Sequence, residues 1–178
     1  IHCGQYFLMN DGTVNISGTY GDGIDPDSLG NVTINGGTIA VTLDTITGKG
    51  IKSDSTYTQN GGTVTLTIPS TMLSAKGIDF RVKGILNNGT INATVAANGS
   101  KGIKSDGSFT QAGGTIAMTC SGGKDRVTDP LDVGKCYGIK VDGIWKKTGG
   151  VCDIKTTSTV TAAIKDSTTT YDGTGVPE

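Results

Sequence analysis

The sequence predicts an all-β fold, namely a right-handed parallel β-helix, or solenoid, of about six coils with a repeat of about 25 residues. Three observations support this prediction: a sequence block that recurs at a nearly fixed spacing, strictly alternating segments that follow each recurrence, and a glycine-rich composition. The chain has 178 residues, of which 29 are glycine, 4 are proline and 5% are aromatic. Hydrophobic residues make up 34%, which is enough for a narrow core, and the glycines lack the three-residue period of collagen.

The recurring block is clearest in two nearly identical copies. Residues 48–54 read Gly-Lys-Gly-Ile-Lys-Ser-Asp and residues 100–106 read Ser-Lys-Gly-Ile-Lys-Ser-Asp, and a Gly-Gly-Thr turn follows each copy at the same distance. The second glycines of this turn and its weaker copies are Gly12, Gly37, Gly62, Gly89, Gly114 and Gly150. Their successive intervals are 25, 25, 27, 25 and 36 residues. A steady period with one long interval predicts a single solenoid domain, 1–178, with an inserted loop at about 121–135.

The segment after each turn alternates between apolar and polar residues. The apolar positions are Val14 and Ile16; Ile39, Val41 and Leu43; Val64, Leu66 and Ile68; Ile91, Ala93 and Val95; and Ile116, Met118 and Cys120. Threonines fill most of the positions between them. A two-residue period with β-branched side chains predicts short strands with one buried face. About 25 residues accommodate two or three such strands, whereas a propeller blade needs four strands in about 40 to 45 residues.

Stacked coils place equivalent residues in columns about 4.8 Å apart. One such column consists of Phe7, Val32, Tyr57, Gly84, Phe109 and Trp145. We expect it to face the core as a ladder of aromatic and aliphatic side chains, and an exposed sugar platform is the alternative. The Gly-Gly-Thr turns are interpreted as corners, where glycine adopts a positive φ, and not as phosphate-binding loops.

The charge balance argues against some function classes. A formal net charge of −1 argues against a nucleic-acid partner, and no apolar run reaches the length of a membrane span. We expect a monomer. In two columns the signs of the charges mostly alternate, either along one column or between the two; the columns are Asp25, Lys52, Asp79, Lys104 and Lys140, and Asp27, Asp54, Arg81, Asp106 and Asp142. The simplest interpretation is a solvated face on which neighbouring coils form ion pairs, each worth about 0 to 1 kcal/mol.

A further column, here called the lysine column, contains three successive lysines, Lys49, Lys76 and Lys101, between Asp22 and Tyr137. A row of like charges at strand spacing suits a linear polyanion such as a uronic-acid polysaccharide. The alternative is that the flexible side chains fan out into solvent. Together with cations of the neighbouring columns, the candidate carbohydrate-binding set consists of Lys49, Lys76, Lys101, Lys52, Lys104 and Arg81.

Acidic residues cluster at one bend and on the adjoining coils, and calcium prefers several carboxylate and carbonyl oxygens. The candidate metal ligands are Asp22, Asp25, Asp27, Asp54 and Asp79. A second candidate set lies in the insertion, at Asp125, Asp129 and Asp132. The spacing is not that of an EF-hand, and aspartate is also common in turns for conformational reasons alone.

The four cysteines favour disulfides and therefore an oxidising compartment. One pairing joins Cys120 to Cys136 and closes the base of the insertion. The other joins Cys136 to Cys152 and leaves Cys3 and Cys120. Connectivity does not follow from spacing, and buried free thiols are a further alternative.

Catalytic motifs are scarce. The chain has one histidine, no Gly-x-Ser-x-Gly motif, and no cysteine and histidine arranged with a third partner. A calcium-assisted polysaccharide lyase needs a basic residue beside the metal, and Arg81, between Asp54 and Asp106, is the single candidate. We expect Arg81 to be an ion-pair residue.

The blocks at 21–38 and 48–67, with Gly-Asp-Gly-Ile-Asp and Gly-Lys-Gly-Ile-Lys-Ser-Asp, resemble a known family. It comprises the bacterial carbohydrate-binding β-helix proteins that bind cellulose and acidic sugars and are structurally akin to pectate lyases. The resemblance covers about residues 10–165. It implies a secreted or surface-attached protein with calcium bound along the stack, and polysaccharide recognition without established cleavage. Asp22, Asp25 and Asp27 match the family's Gly-Asp-Gly-Ile-Asp form, whereas the lysine-containing copies depart from it.

The first functional hypothesis is therefore a non-catalytic, extracellular or cell-surface module that binds an extended, acidic polysaccharide. A calcium-dependent polysaccharide lyase and a structural or adhesive surface module are the alternatives. An ice-binding surface ranks last, because Ala40, Asn92 and Ala117 interrupt the regular threonine columns.

Overall fold

The chain folds as a parallel β-helix whose coils each contribute one short strand to each of three faces. The computed structural model describes residues 1–18, 21–44, 47–125, 134–157, 161–167 and 170–171. Within these residues, parallel strands stack into about six coils with a spacing of about 25 residues. The predicted fold class is therefore confirmed.

The strands are named in chain order. Coil 1 contains β1 (His2–Cys3), β2 (Tyr6–Met9) and β3 (Thr13–Ile16); coil 2 contains β4 (Asp25–Pro26), β5 (Asn31–Ile34) and β6 (Thr38–Thr42). Coil 3 contains β7 (Lys49–Ser53), β8 (Thr56–Gln59) and β9 (Thr63–Ile68); coil 4 contains β10 (Lys76–Phe80), β11 (Lys83–Leu86) and β12 (Thr90–Val95). Coil 5 contains β13 (Lys101–Ser105), β14 (Ser108–Gln111) and β15 (Thr115–Cys120); coil 6 contains β16 (Cys136–Val141), β17 (Trp145–Lys147) and β18 (Val151–Thr156). The last described strands are β19 (Thr161–Lys165) and β20 (Thr170–Tyr171).

The three faces are called sheets A, B and C in the order in which each coil visits them. Sheet A contains β1, β4, β7, β10, β13, β16, β19 and β20, and a bridge between Ile24 and Ile51 joins its first two strands to the rest. Sheet B runs from β2 to β17, and sheet C from β3 to β18, with one strand from each coil. In the described part of the chain only the β19–β20 pair is antiparallel. No described helix is long and apolar enough to cross a membrane.

The strand register agrees with the columns read from the sequence. Lys76 pairs with Lys49 on one side and with Lys101 on the other, and Tyr57 lies between Val32 and Gly84. The corners between sheets B and C are also as predicted. The second glycine of each turn has a φ between +67° and +95°, a region that favours glycine because it lacks a Cβ atom.

The predicted inward column forms the centre of the core. Tyr57 and Phe109 are fully buried, and the Tyr57 hydroxyl donates a hydrogen bond to Gln59 Oε1 at 2.8 Å. Gly84 leaves a gap in this column, which Phe80 of sheet A fills. The Phe80 ring centroid lies 6.0 Å from that of Tyr57 and 5.7 Å from that of Phe109. A Cβ atom at Gly84 would lie 2.3 Å from Phe80 Cζ, so the glycine makes room for the ring.

An exposed asparagine ladder runs along the corner between sheets B and C. Its members are Asn10, Asn35, Asn60 and Asn87, and the amide nitrogen of each of the last three donates to the amide oxygen one coil earlier at 2.8 Å. This ladder was not predicted from the sequence. Its signal was the recurrence of asparagine just before the glycines of these turns.

All four cysteines are free thiols in this structure, so the predicted disulfides are not seen. The thiols of Cys120 and Cys136 are in hydrogen-bond contact. Cys152 instead pairs with Ile116 in sheet C, about 13 Å along the strand direction from the end of β15. Cys3 lies in coil 1, four coils from Cys120 and therefore about 19 Å away along the stack. The alternative pairing of Cys136 with Cys152, which leaves Cys3 and Cys120, is incompatible with this arrangement.

Candidate functional site

The lysine column lies at the start of the sheet A strands, but its members have different surroundings. Lys49 Nζ lies 3.7 Å from Asp22 Oδ2 and 3.8 Å from Asp79 Oδ2, so coils on both sides supply it with a carboxylate. Lys76 is half-buried and forms no ion pair within 4 Å with a described residue. Of the lysines in this column, Lys76 is the one available to an external anion.

Lys101 departs from the expected row of solvent-facing cations. Its side chain is only 8% exposed, and its ammonium group donates a hydrogen bond to the carbonyl of Gly99. Burial, followed by the nearby charge of Lys140, lowers the pKa of Lys101 to about 8. Lys101 is thus part of the packed interior of the corner, and a ligand on the surface would meet Lys49 and Lys76.

These two lysines line a polar depression at the corner between sheets C and A, here called the corner depression. It has a volume of about 200 Å³ and is lined by Asp22, Thr47, Gly48, Lys49, Ser74 and Lys76. Ser74 has a φ of +52°, which a residue with a Cβ atom rarely adopts, and its N–H donates to the carbonyl of Asn98. Its hydroxyl donates to Asp125 Oδ2, so the start of the insertion contacts the depression.

The other candidate cations are held in ion pairs between neighbouring coils. Lys52 Nζ lies 3.0 Å from Asp25 Oδ1 and 3.4 Å from Asp54 Oδ2, and Arg81 Nε lies 3.1 Å from Asp54 Oδ1. The hydrogen bond with Asp25 is the main reason that the pKa of Lys52 is raised. The predicted ion-pair role of Arg81 and the self-neutralising character of this face are confirmed.

Lys104 is buried, whereas its charged column was expected to face solvent. It is 8% exposed, and its ammonium donates to Asp106 at 2.7 Å and to Asp142 at 2.8 Å. Burial alone would lower the pKa of Lys104, but these two hydrogen bonds outweigh it and the pKa is raised. The side chain therefore links coils 5 and 6 and presents little surface to a ligand.

The predicted calcium ligands do not converge on one point. Asp22 is paired with Lys49, and Asp27 Oδ1 lies 3.0 Å from His2 Nε2. Among the residues that the structure describes, no three histidine, cysteine, aspartate or glutamate side chains are grouped so as to hold a metal. As arranged here, Asp22, Asp25, Asp54 and Asp79 each face a lysine or arginine side chain, and calcium binding remains a prediction from the sequence.

The second candidate set of acidic residues, in the insertion, is only partly described, and so are the basic residues beside it. Asp125 is placed beside Ser74, whereas Arg126, Asp129 and Asp132 lie outside the described residues.

The outer surface of sheet C forms a second polar area, here called the threonine face. A shallow depression of about 230 Å³ lies across coils 3 to 6 and is lined by Thr65, Leu66, Asn92, Ala93, Thr94, Ala117, Met118, Thr119, Asp153 and Lys155. Asp153 and Lys155 are half exposed or more and lie 3.8 Å apart, so the face is close to neutral. The threonine columns were predictable from the sequence, whereas these two charged residues were not, because the repeat is weakest in coil 6.

Comparison with known proteins identifies the family. A family model described as "Carbohydrate-binding domain-containing protein" matches residues 1–129, which include coils 1 to 5. The chain belongs to this family. No curated protein and no solved structure matches the chain. A carbohydrate is therefore the expected partner of the surfaces described above, in agreement with the coarser part of the hypothesis drawn from the sequence.

Proposed function

We propose that this chain is a non-catalytic module that binds an extended, acidic polysaccharide at the corner depression, outside the cell or at the cell surface. The observation that supports the site most directly is the pairing of Lys49 and Lys76 on adjacent coils at one solvent-facing depression. Family membership supports carbohydrate as the ligand class.

The chemistry of the depression suits a sugar that has a carboxylate as well as hydroxyl groups. The ammonium of Lys76 forms no ion pair within 4 Å with a described residue, although its charge acts on the nearby Asp79 carboxylate, and it can therefore form a charge-assisted hydrogen bond with a uronic-acid carboxylate. The Asp22 carboxylate can accept hydrogen bonds from sugar hydroxyls, and so can the Ser74 oxygen, whose own proton is donated to Asp125. Because the coils repeat about every 4.8 Å, a chain that follows the stack meets similar backbone geometry at each step.

Two arrangements favour binding over cleavage. Arg81, the candidate base of a lyase, is paired with Asp54 at 3.1 Å. It also follows the last residue of β10, whereas Lys76 begins that strand, so the two cations lie about 16 Å apart along the strand direction. A lyase would need its base beside the bound uronic acid.

The proposal is tested by affinity for polygalacturonate oligosaccharides and by retention on immobilised polygalacturonate. We expect Lys76→Gln to weaken affinity about tenfold, because one charge-assisted hydrogen bond is lost. Lys83→Gln is the matched control, since Lys83 is an exposed lysine of coil 4 on sheet B. We also expect affinity to fall as salt is added, because exposed charges are screened.

The result that would overturn the proposal is equal retention of the parent and Lys76→Gln. Formation of an unsaturated product that absorbs in the ultraviolet, abolished by a chelator, would instead identify a lyase.

The threonine face is a second candidate surface, and its shallow, nearly neutral depression favours an uncharged glycan such as cellulose. Asn92 lies in the depression, whereas Asn15 belongs to the same column of sheet C but lies outside it. If this face binds, Asn92→Ala lowers retention on cellulose and Asn15→Ala does not. Loss of polygalacturonate binding in Asn92→Ala but not in Lys76→Gln would move the acidic ligand to this face.

A further inference from the structure

We propose that Cys120 and Cys136 are a site of disulfide formation that closes the insertion at its base, while Cys3 and Cys152 stay reduced. Both residues are fully buried, and their thiols are in contact where β15 ends and β16 begins. The Cys136 sulfur also lies 4.0 Å from the carbonyl oxygen of Val95.

The two cysteines occupy positions that also meet in the other coils. Cys120 occupies the same column as Val95 and Ile68. Cys136 directly precedes Tyr137, which is the coil 6 member of the column that contains Lys76 and Lys101. The residues equivalent to Cys136 are therefore Ala75 in coil 4 and Ser100 in coil 5. All these side chains are buried at the same inner corner. The segment that connects the two positions has 6 residues where the chain enters coil 4, 4 residues where it enters coil 5 and 15 residues where it enters coil 6. The thiol pair thus lies where the connection is longest and where a covalent closure restricts the chain most.

The folded corner holds the two sulfurs side by side. The thiol of Cys120 donates a hydrogen bond to the Cys136 sulfur, and together with the backbone N–H of Gly122 and the ammonium of Lys101 this lowers the pKa of Cys136. The same contact, with burial, raises the pKa of Cys120. These contacts exist only once the corner has closed, so they support the proximity of the two sulfurs in the native fold and do not decide which thiol reacts first during folding.

A small-molecule disulfide such as oxidised glutathione supplies the oxidant. One of the two cysteines, as its thiolate, attacks one glutathione sulfur, forms a mixed disulfide and releases one glutathione thiolate. The other cysteine, once deprotonated, attacks the protein sulfur of this mixed disulfide and releases the second glutathione thiolate. Two protein thiols are oxidised, one glutathione disulfide is reduced, and the two protein protons end on the released glutathione molecules. Because both thiols are fully buried, we expect this exchange during folding, before the corner closes.

The test begins with the unmodified protein folded in a mixture of reduced and oxidised glutathione. After denaturation without reductant, we expect two of the four cysteines to react with a thiol reagent, and peptide mapping to find the bond between Cys120 and Cys136. Adding reductant should lower the Tm by about 6 to 12 °C, since closing a loop of this length restricts the unfolded chain.

Two variants separate this site from the other thiols. Cys152→Ala should keep the full response of the Tm to reductant, whereas the double variant Cys120→Ala with Cys136→Ala should lose it. Four reactive thiols after denaturation of the protein that was folded with oxidised glutathione, or a bond that includes Cys3 or Cys152, would overturn the proposal. The thiol count and the peptide map need no variant, so they decide the matter even if the double variant does not fold.

Discussion

Exchanging two residues of the aromatic ladder in coil 4 tests how the core is packed. Coils 3 and 5 have serine at the position of Phe80 and an aromatic residue at the position of Gly84. Coil 4 has the reverse, and its phenyl ring fills the gap that the glycine leaves. The double variant Phe80→Ser with Gly84→Phe therefore restores the pattern of the neighbouring coils.

The structure gives magnitudes for each step. Phe80→Ser alone removes a fully buried ring from between Tyr57 and Phe109 and should cost about 3 to 5 kcal/mol. Gly84→Phe alone places a Cβ atom 2.3 Å from the existing ring and should cost at least about 1 to 3 kcal/mol. In the double variant the new ring takes the place of the old one, so we expect a total cost of only about 1 to 2 kcal/mol, against about 4 to 8 for an additive pair.

Urea unfolding of the parent, the two single variants and the double variant, followed by circular dichroism, measures these free energies of unfolding. A double variant whose cost equals the sum of the single costs would refute the view that the two positions share one space. Gly4→Ala is the control for adding a Cβ atom, because no atom lies within 4 Å of a Cβ atom built at Gly4.

Three further predictions concern charge and polar contacts. The pKa of Lys101 is about 8 in the folded chain and near 10.5 in the unfolded chain, so between these pH values the unfolded chain binds more protons. The contribution of Lys101 to the free energy of unfolding should therefore rise from about pH 8 to about pH 10.5. The urea midpoint of the parent should accordingly rise relative to that of Lys101→Met over this range. Asn60→Ala should cost about 1 to 2 kcal/mol in thermal or urea unfolding, because it removes two exposed amide hydrogen bonds, and Asn60→Asp about half as much, because the carboxylate still accepts from Asn87. Calcium titration of chelator-treated protein by calorimetry should show stronger binding in Lys52→Ala than in the parent, since this change removes the cation that lies between Asp25 and Asp54, although Asp54 keeps its ion pair with Arg81; equal affinities would separate any calcium site from Lys52.

The sequence by itself determined the fold class, the number of coils and the strand register. These follow from a repeat of about 25 residues and from two-residue alternation, which are local patterns that every coil repeats. The column of Tyr57, Gly84 and Phe109 and the corner glycines were predictable for the same reason. The carbohydrate class agreed with the family match, whereas the preference for an acidic polysaccharide rests on the proposal above.

Only the tertiary structure decided which members of a column face solvent. Lys49, Lys76 and Lys101 are equivalent in sequence, yet the first is paired, the second lines the corner depression and the third is buried. The difference arises because side chains of other coils, such as Asp22 and Asp79, decide where each ammonium group is neutralised. Filling of the Gly84 gap by Phe80 and the contact between Cys120 and Cys136 have the same origin. A repeat specifies which backbones stack, whereas burial and charge at each site depend on neighbours a full coil or more away in the chain.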